Sequence, residues 1–460
     1  MSHLALKEAL ESLHRHDIDF ADLFFESSSF HSSSFEDKTM EEISTSLREG
    51  VGARILFNDL TSFAHMPGVT LKDGLTALQE AALNIGIIIP STTLDNNLLE
   101  RVVREVIPPQ PADQKFFHCI DQALRQKSSL VTQVSINYTL SSRQIAIIND
   151  KGELRKDERA YTSFSVEVVV EKEEQIQTGY ESAARAESPD LFWQHHDPDA
   201  LAQRALDEAL LMLDAPDCPA GTMPVLLSGE AGGTLIHEAC GHGLEADIIQ
   251  KDYSVYRNKL GEKVASPLVT MIDDGTISGL YGSYSIDDEG MPAKRTVLIE
   301  NGILKAYLTD MVSSKKDNLP LSGNGRRSSY RNPPIPRMSN TFILPGNNEP
   351  EEMIKGIDYG LYVKRMGGGE VNPTTGDFVF QVTEGYLIQR GSIIHPVKGA
   401  LLTGNGPEAL MDIVGVGKDL HFLPGTCGKA GQSVPVTDGQ PSLLIKKMTV
   451  GGSSTDHETL

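Results

Sequence analysis

The spacing of apolar residues in the first half of the chain predicts a mixture of helices and strands. Apolar positions recur at the helical period over residues 3–16, 72–86 and 199–213. Alternation with a period of two predicts strands over Phe20–Glu26 and Glu42–Asn58, on either side of a turn. This half of the chain is therefore expected to combine both kinds of secondary structure.

Three further apolar segments predict an antiparallel meander. They are Leu130–Tyr138, Gln144–Asn149 and Tyr161–Glu171, and turn-forming residues separate them. Together with the segments before them, they predict an N-terminal mixed domain with an antiparallel sheet.

Residues 214–224 interrupt every periodicity, because this stretch contains three prolines and a glycine. We therefore predict a domain boundary here, with an N-terminal α+β domain at 1–218 and a C-terminal domain at 219–460.

The C-terminal domain is predicted to be mainly β. Val225–Leu227 predicts a short strand, and the glycine-rich loop Gly229–Gly233 leads into a helix that carries residues 237–242. From Val264 onward, short apolar runs alternate with glycine-rich turns. The fold class expected for the whole chain is therefore α+β.

Charge and composition narrow the classes of function. The 460 residues carry a formal net charge of −22, which argues against a nucleic-acid partner because phosphates are bound mainly by clustered lysine and arginine. No apolar run approaches the roughly 20 residues that span a bilayer, and residues 1–10 predict a charged amphipathic helix instead of a signal peptide. Four cysteines indicate a reducing compartment, so we expect a cytoplasmic protein without a membrane partner.

The segment His237-Glu-Ala-Cys-Gly-His242 carries the strongest chemical signal. Neutral imidazoles bind zinc, and a glutamate beside the metal can accept a proton from water. In the familiar H-E-x-x-H pattern the histidines are four residues apart, whereas here they are five apart.

That spacing conflicts with an ideal helix. At 3.6 residues per turn, side chains four apart differ by about 40° around the axis, but side chains five apart differ by about 140°. Either a π-bulge brings His242 back towards His237, or the helix ends at Gly241 and His242 enters from an irregular turn. The alternative without a metal site is a buried helix that carries two unrelated histidines.

A catalytic zinc site usually needs a third protein ligand. Cys240 lies inside the motif, but on a regular helix it points away from His242, which favours a small buried packing residue. Cys427 lies in a proline- and glycine-rich turn and is a plausible thiolate ligand, although a lone loop cysteine is usually only packed.

Other polar clusters have weaker interpretations. Arg326, Arg327, Arg331 and Arg337 could bind a substrate carboxylate, but internal pairing with acidic residues is favoured. The acidic run Asp287–Glu289 lacks the spacing of a calcium loop and favours a solvated or arginine-paired turn. His395 and His421 are weaker candidates for a role in the shell around the metal or in stabilising an oxyanion.

The chain resembles the metal-binding branch of the TldD/PmbA family of zinc metallopeptidases. Similarity is nearly continuous over 225–452 and looser at Ala21–Leu23 and Glu49–Arg54. Besides the 237–242 motif, the matching segments are Gly229–Gly233, Gly243–Asp247, Asp287–Gly290, Leu298–Leu304, Gly323–Tyr330, Pro336–Met338, Gly367–Gly369, Thr375–Phe378, Glu384–Tyr386, Pro396–Gly399, Gly404–Gly406, Cys427–Gln432 and Thr449–Gly452.

The resemblance implies His237, His242 and Cys427 as zinc ligands and Glu238 as the general base. It further implies that the substrates are peptides and unfolded segments, such as leader peptides and antitoxins. In the family, the metal-bearing subunit pairs with a homologue, TldE (also called PmbA), that lacks the motif. A heterodimer of that kind, or a homodimer, is therefore expected.

The alternative function is a non-catalytic regulator that binds a protein partner such as DNA gyrase, an older interpretation attached to the same family. A metal-dependent hydrolase with a non-peptide substrate also stays open. The regulator would not need Glu238.

Overall fold

The N-terminal half is built on one six-stranded sheet. The computed structural model describes residues 4–58, 60–89, 99–109, 111–372 and 374–452. The sheet has the strand order β3-β2-β1-β4-β5-β6, and all of its pairings are antiparallel. Its strands are β1 (Phe20–Glu36), β2 (Thr39–Phe57), β3 (Leu60–Pro67), β4 (Val131–Asn149), β5 (Leu154–Lys172) and β6 (Gln175–Arg185).

The predicted meander is wrong in one respect, because β4 is a single long strand with no turn near residues 139–143. Ser141, Ser142 and Arg143 continue the ladder and pair with β1 on one side and β5 on the other. Likewise β1 continues ten residues beyond the predicted end at Glu26. These extensions are rich in serine, which lowered the apolar signal, but pairing on both sides satisfies their backbone hydrogen bonds.

Helices cover one face of this sheet. Leu6 and Leu78 pack with Leu23 and Phe25 at one end, and a second cluster that includes Phe117 buries the other end. The helices are α1 (Leu4–Ser12), α2 (Leu71–Leu83), α3 (Gln114–Lys127), α4 (Pro189–His195) and α5 (Pro198–Leu213). The three predicted helices are confirmed, with α1 continuing as a 3-10 turn, whereas α3 and α4 were not predicted.

The other face of the sheet is turned towards the C-terminal half. Phe24, Ile145 and Ile147 pack against Ile286 and Tyr330 from the C-terminal half. Elsewhere this face has few apolar residues.

A six-stranded and a seven-stranded sheet form most of the described C-terminal half. One has the order β10-β9-β8-β13-β20-β19, and the other runs β14-β7-β21-β17-β15-β16, where an additional pairing of β14 with β15 closes five strands into a ring. The strands are β7 (Gly221–Leu227), β8 (Met271–Asp274), β9 (Arg295–Glu300), β10 (Ile303–Leu304), β11 (Gly325–Arg326), β12 (Ile335–Pro336), β13 (Asn340–Ile343), β14 (Tyr359–Val371), β15 (Asp377–Gln389), β16 (Ser392–Val397), β17 (Leu401–Asn405), β18 (Ile413–Val416), β19 (His421–Lys429), β20 (Gln432–Gln440) and β21 (Leu443–Gly451).

In the described part of this half, the α-helices that accompany the sheets are short: α6 (Thr234–Ile236), α7 (Ala246–Gln250), α8 (Met311–Asp317), α9 (Pro350–Lys355) and α10 (Gly406–Met411). The mixed α+β class with antiparallel sheets and a mainly β C-terminal half is therefore confirmed. The division between residues 218 and 219 stays a prediction. Among the described residues, no helix is long and apolar enough to cross a bilayer.

Candidate metal centre

The two histidines of the motif lie on a π-helical turn. The segment His237–Gly241 follows α6 directly, and the backbone N–H of His242 donates to the carbonyl of His237, five residues earlier. This i→i+5 bond widens the turn and returns His242 towards the side of His237. Their ring centroids are 4.9 Å apart, and the ring planes are perpendicular. Of the two geometries left open by the sequence, the π-bulge is the one observed.

Glycine is needed at the point where this turn passes the segment between β12 and β13. A Cβ built at Gly241 would lie 2.1 Å from the sulfur of Met338, far inside contact distance. On the opposite side, Ile236 and Cys240 are buried in the C-terminal core. The buried Tyr256 hydroxyl donates to the Ala239 carbonyl at 3.3 Å, within the same turn. Packing on several sides therefore holds the widened turn in place.

The hairpin of β19 and β20 brings the thiol predicted as a third ligand close to the histidines. Cys427 on β19 pairs with Val434 on β20, and its buried thiol points at the π turn. The Cys427 sulfur lies 3.4 Å from Nε2 of His242. Ligand atoms of His237, His242 and Cys427 all lie within 4.8 Å of one another. The two predicted ligands on the motif and the predicted thiol, 185 residues later (427 − 242), are thus brought together.

A carboxylate holds the other nitrogen of each histidine. Nδ1 of His237 lies 2.7 Å from Oδ1 of Asp438, and Nδ1 of His242 lies 3.0 Å from Oε2 of Glu245. In metal sites, such partners fix the tautomer and the orientation of the ring, so that Nε2 is left for the ion. Both imidazoles therefore present Nε2 on the side of the thiol.

Two cations compensate the fully buried Glu245. Lys429 Nζ lies 3.0 Å from Oε2 of Glu245 and 2.5 Å from Asp247, while Arg337 Nε lies 3.9 Å from Oε1 of Glu245. Arg337 also donates to the backbone carbonyls of Cys427 and Gln432. These contacts connect the hairpin to the segment that follows the π turn, so they position Cys427 and Glu245 together.

The electrostatics of the centre favour a thiolate. Burial acts to raise the pKa of Cys427, but hydrogen bonds from His237 and His242 outweigh it and lower that pKa to about 6. Burial acts to lower the pKa of His242, but Glu245 and Cys427 raise it to about 9. Against burial, Asp438 and Cys427 raise the pKa of His237 well above its ordinary value. Burial would raise the pKa of Glu245, but Lys429 and His242 lower it to about 2.

Glu238 and His242 are the partly exposed residues of this turn, because Leu235–His237 and Ala239–Gly241 are buried. His242 is 15% exposed in its side chain. Glu238 is thus a partly exposed residue of the turn that carries both histidines.

The other sequence candidates lie outside the group of three ligands. Cys240 is a completely buried packing residue, as its favoured interpretation held, and burial raises the pKa of its thiol to about 12. Neither His395, whose ring contacts the carbonyl of Pro396, nor the exposed His421 belongs to the group.

Most of the arginine cluster pairs internally. Arg326 donates to the carbonyl of Met338, and Arg327 donates to the carbonyl of Asp288, whereas Arg331 is exposed. Of the two expected alternatives for the acidic run, the arginine-paired turn is observed and the solvated turn is wrong, because the run is buried, Arg54 binds Glu289 at 2.6 Å and Arg159 binds Asp288 at 3.0 Å.

Sequence reasoning missed Asp438, Glu245 and Lys429. Glu245 follows His242 by three residues, which is a spacing that puts neighbours on one face of a helix, and this could have marked it. Nothing in the sequence around Asp438 distinguishes it, because its role depends on how β20 packs beside the π turn.

The three ligands suit a zinc ion. Zinc takes tetrahedral nitrogen and sulfur ligands at about 2.0–2.1 and 2.3 Å, which implies ligand-to-ligand distances of about 3.3–3.6 Å. The His242–Cys427 distance of 3.4 Å agrees with this, and the separations of up to 4.8 Å need only small side-chain shifts. Soft thiolate and imidazole ligands also disfavour magnesium and calcium, which prefer oxygen.

Known proteins match this chain over nearly its whole length. Family models described as PmbA/TldA metallopeptidase domain 1, central domain and C-terminal domain match residues 21–85, 107–213 and 220–452. A protein named Metalloprotease TldD homolog from Haemophilus influenzae is 37% identical over 99% of this chain and 97% of its own length. One named Metalloprotease from Methanothermobacter thermautotrophicus is 34% identical over 95% and 96%. A zinc metalloprotease TldD homolog from Saccharolobus solfataricus is 37% identical over 51% and 52%.

Solved structures share the fold at lower identity. TldE from Thermococcus kodakarensis superposes with a TM-score of 0.75 at 20% identity, covering 97% of this chain and 99% of the other. A proposed modulator of a DNA gyrase from Thermotoga maritima gives 0.76 at 20% identity, covering 96% and 98%. The matches of sequence, fold and metal-binding group agree with one another, and the chain belongs to the PmbA/TldD family of metallopeptidases.

Proposed function

We propose that this chain is a zinc metallopeptidase that hydrolyses peptides and unfolded polypeptide segments. The observation that carries the proposal is the convergence of His237, His242 and Cys427 within 4.8 Å, with a carboxylate on the far nitrogen of each histidine. Structural zinc sites usually have four protein ligands, whereas three ligands leave a position for water and substrate.

In this proposal the three side chains bind zinc, which would polarise a peptide carbonyl and increase the acidity of water. Glu238 accepts the proton of the attacking water and then delivers it to the leaving amine. Asp438 and Glu245 keep the two imidazoles oriented through the cycle. Arg337 and Lys429 keep the hairpin and Glu245 in register with the π turn.

Extended peptides fit the position of Cys427. It lies on β19, the last strand in the described order of its sheet, so that a peptide can add to this edge through main-chain hydrogen bonds. That mode requires an unfolded segment and tolerates many sequences. It supports leader peptides and antitoxins as the class of substrate.

We further propose that the chain works in the cytoplasm as a dimer, either with itself or with a TldE/PmbA-like homologue. None of its four cysteines is in a disulfide, as expected in a reducing compartment. The test of the partner compares cleavage of an unfolded peptide by the chain alone and after addition of a homologue that lacks the motif. No rate increase would contradict the heterodimer, and full activity of a homodimer would make the partner unnecessary.

Substitution of Glu238 tests the function itself. Glu238→Gln keeps the size of the side chain but cannot accept a proton, so we expect a folded, zinc-loaded protein whose peptide cleavage falls about a hundredfold or more. Glu352→Gln, in an exposed position on α9, is the matched control. Unchanged cleavage by Glu238→Gln would remove this residue from the mechanism. Absence of cleavage in the zinc-loaded wild type would favour the regulator instead.

A further inference from the structure

A cavity of about 440 Å³ separates the N-terminal sheet from the hairpin that carries Cys427. One wall is the polar face of β1, β2, β4 and β5, which the helices leave uncovered. The opposite wall includes Thr426, Ser433 and Pro435 of the β19–β20 hairpin. The wall residue Thr426 is thus the immediate neighbour of a proposed zinc ligand.

Positive charge is concentrated in this cavity. Five arginines and two carboxylates line it, although the chain as a whole carries a net charge of −22. Arg48, Arg143 and Arg159 stand in one cross-strand row, because Ser28 pairs with both Arg48 and Arg143, and Arg143 pairs with Arg159. Like charges directly opposite one another destabilise a sheet unless anions separate them.

Carboxylates of the protein neutralise the positive charges of this row unequally. Arg159 has Asp157 at 2.9 Å and Asp288 at 3.0 Å, and Arg143 has a single carboxylate, Glu26, at 3.1 Å. Arg48 is exposed, and no carboxylate of the described part of the chain lies within 4.0 Å of its guanidinium. Negative charge therefore decreases along the row from β5 to β2.

Some nitrogen atoms of the guanidinium groups beside the cavity have no hydrogen-bond acceptor among the described residues. Nη2 of Arg143 is buried without a partner among the described residues, as are Nε and Nη1 of Arg327. Burial lowers the pKa of Arg327 to about 10, although Asp22 and Asp288 oppose this, so the positive charge here is incompletely compensated. An anion in the cavity would supply acceptors and charge together.

We propose that this cavity binds a carboxylate of the peptide substrate, the side chain of Asp or Glu or the C-terminal carboxylate, through Arg48 and Arg143. This assignment rests on the proposed peptidase function and adds a preference for acidic peptides. Hydroxyl groups of Ser28 and Ser141, on the same face, are available as additional donors. The arginines of the N-terminal sheet thereby take the role that the sequence suggested for Arg326 and its neighbours.

The carboxylate site and the proposed zinc ligands lie on opposite faces of β19. Thr426 faces the cavity and is exposed, whereas Cys427 is buried on the opposite face of β19, beside the histidines. A peptide must pass the edge of this strand to reach both sites. The effect of an acidic residue should therefore depend on its distance from the cleaved bond.

Steady-state cleavage of a matched peptide series tests the assignment. The series consists of internally quenched decapeptides that carry one Glu at successive positions, their Gln counterparts, and the same peptides with free or amidated C-termini. For wild-type protein we expect a KM about tenfold lower for the preferred acidic peptide than for its neutral counterpart, at similar kcat. Dependence on the Glu position identifies a side chain as the ligand, and dependence on amidation identifies the C-terminus.

Arg48→Gln should raise KM for the acidic peptide about tenfold and leave the neutral peptide unchanged. Arg143→Gln should act in the same direction, and Arg295→Gln, which removes an exposed charge on β9 four strands away from β19, should have no effect. Because Arg48 is exposed, its variant should fold, which circular dichroism and zinc content can confirm. A KM change that is equal for acidic and neutral peptides, or absent in Arg48→Gln, would overturn the proposal.

A measurement of peptide binding distinguishes failure of this inference from failure of the proposed peptidase function on which it rests. If zinc-loaded wild type cleaves none of the peptides, the peptidase proposal fails, but fluorescence anisotropy of the labelled acidic decapeptide still measures the cavity. Binding that Arg48→Gln weakens about tenfold, relative to the Gln peptide, would support the carboxylate site. Equal binding of acidic and neutral peptides by wild type would refute it.

Discussion

Removal of the Asp438 carboxylate, which contacts His237, should weaken zinc binding. The geometry of this contact sets the size of the expected loss in affinity. Oδ1 of Asp438 lies 2.7 Å from Nδ1 of His237, which is a short, charge-assisted hydrogen bond. Loss of such a partner in metal sites typically costs 10–100-fold in affinity, or about 1.4–2.8 kcal/mol.

Two substitutions divide this effect into charge and orientation. Asp438→Asn keeps an oxygen that can accept from Nδ1–H, so the tautomer and ring position are retained and we expect about a tenfold loss. Asp438→Ala removes both contributions, so the loss should approach a hundredfold. Asp358→Asn, at an exposed position, is the control for loss of one negative charge.

The loss should also grow with pH. Asp438 raises the pKa of His237, so in the wild type a proton must leave this imidazole before zinc binds. Without Asp438 that pKa falls and proton competition at neutral pH weakens, which offsets part of the lost affinity. Above the wild-type pKa, both proteins have a neutral imidazole, and the full loss appears.

Competition with a chromophoric chelator, at about pH 7 and about pH 9, measures both effects. We expect the ratio of dissociation constants, Asp438→Ala over wild type, to be larger at the alkaline pH. Equal zinc affinity of the two proteins at alkaline pH would refute the orienting role of Asp438. A ratio that shrinks with pH would refute the assignment of the proton to His237.

Three further expectations concern the same centre. Cys427→Ala should lose most of the zinc measured by elemental analysis, whereas Cys240→Ala, which removes a packing thiol, should retain it, and equal retention would exclude Cys427 as a ligand. At about pH 7, zinc binding should release close to two protons, because His237 and His242 are protonated while Cys427, with a pKa of about 6, is already mostly a thiolate. Titration calorimetry in buffers of different ionisation enthalpy counts the protons, and release of a single proton would contradict the raised histidine pKa values. Affinity should rise with pH at least until His242 loses its proton at about pH 9. Gly241→Ala should destabilise the fold by about 1–3 kcal/mol, because the added Cβ meets Met338. Gly428→Ala, whose Cβ would point into open space, should leave the free energy of unfolding in chemical denaturation nearly unchanged. Similar stability of both variants would mean that the π turn adapts freely.

The sequence was sufficient to name the proposed metal ligands but not the residues that surround them. His237, Glu238 and His242 form a local motif, and the family resemblance added Cys427, so all four could be named without a structure. The carboxylates could not, because Asp438 reaches His237 only through the packing of β20 on the π turn. A local pattern contains no information about a contact across 201 residues.

The same reason explains the outcome for the N-terminal sheet. Apolar periodicity located α1, α2 and α5 and parts of β1, β2, β4 and β5, but α3 and α4 were missed and the serine-rich centre of β4 was taken for a turn. The row formed by Arg48, Arg143 and Arg159 depends on the register of four strands, which nothing in the local sequence determines. The arginines that are close together in the sequence turned out to be mostly paired internally.

The late position of Cys427 has a consequence for how the protein is made. A ribosome that adds about 5–20 residues per second needs roughly 10–40 s to proceed from His242 to Cys427. During that interval the nascent chain carries two histidines of the centre without their thiol, and the strand that supplies Asp438 has not yet been synthesised. High-affinity metal capture should therefore follow synthesis of nearly the whole chain and docking of its last hairpin, and a truncated product would be released without a complete binding site.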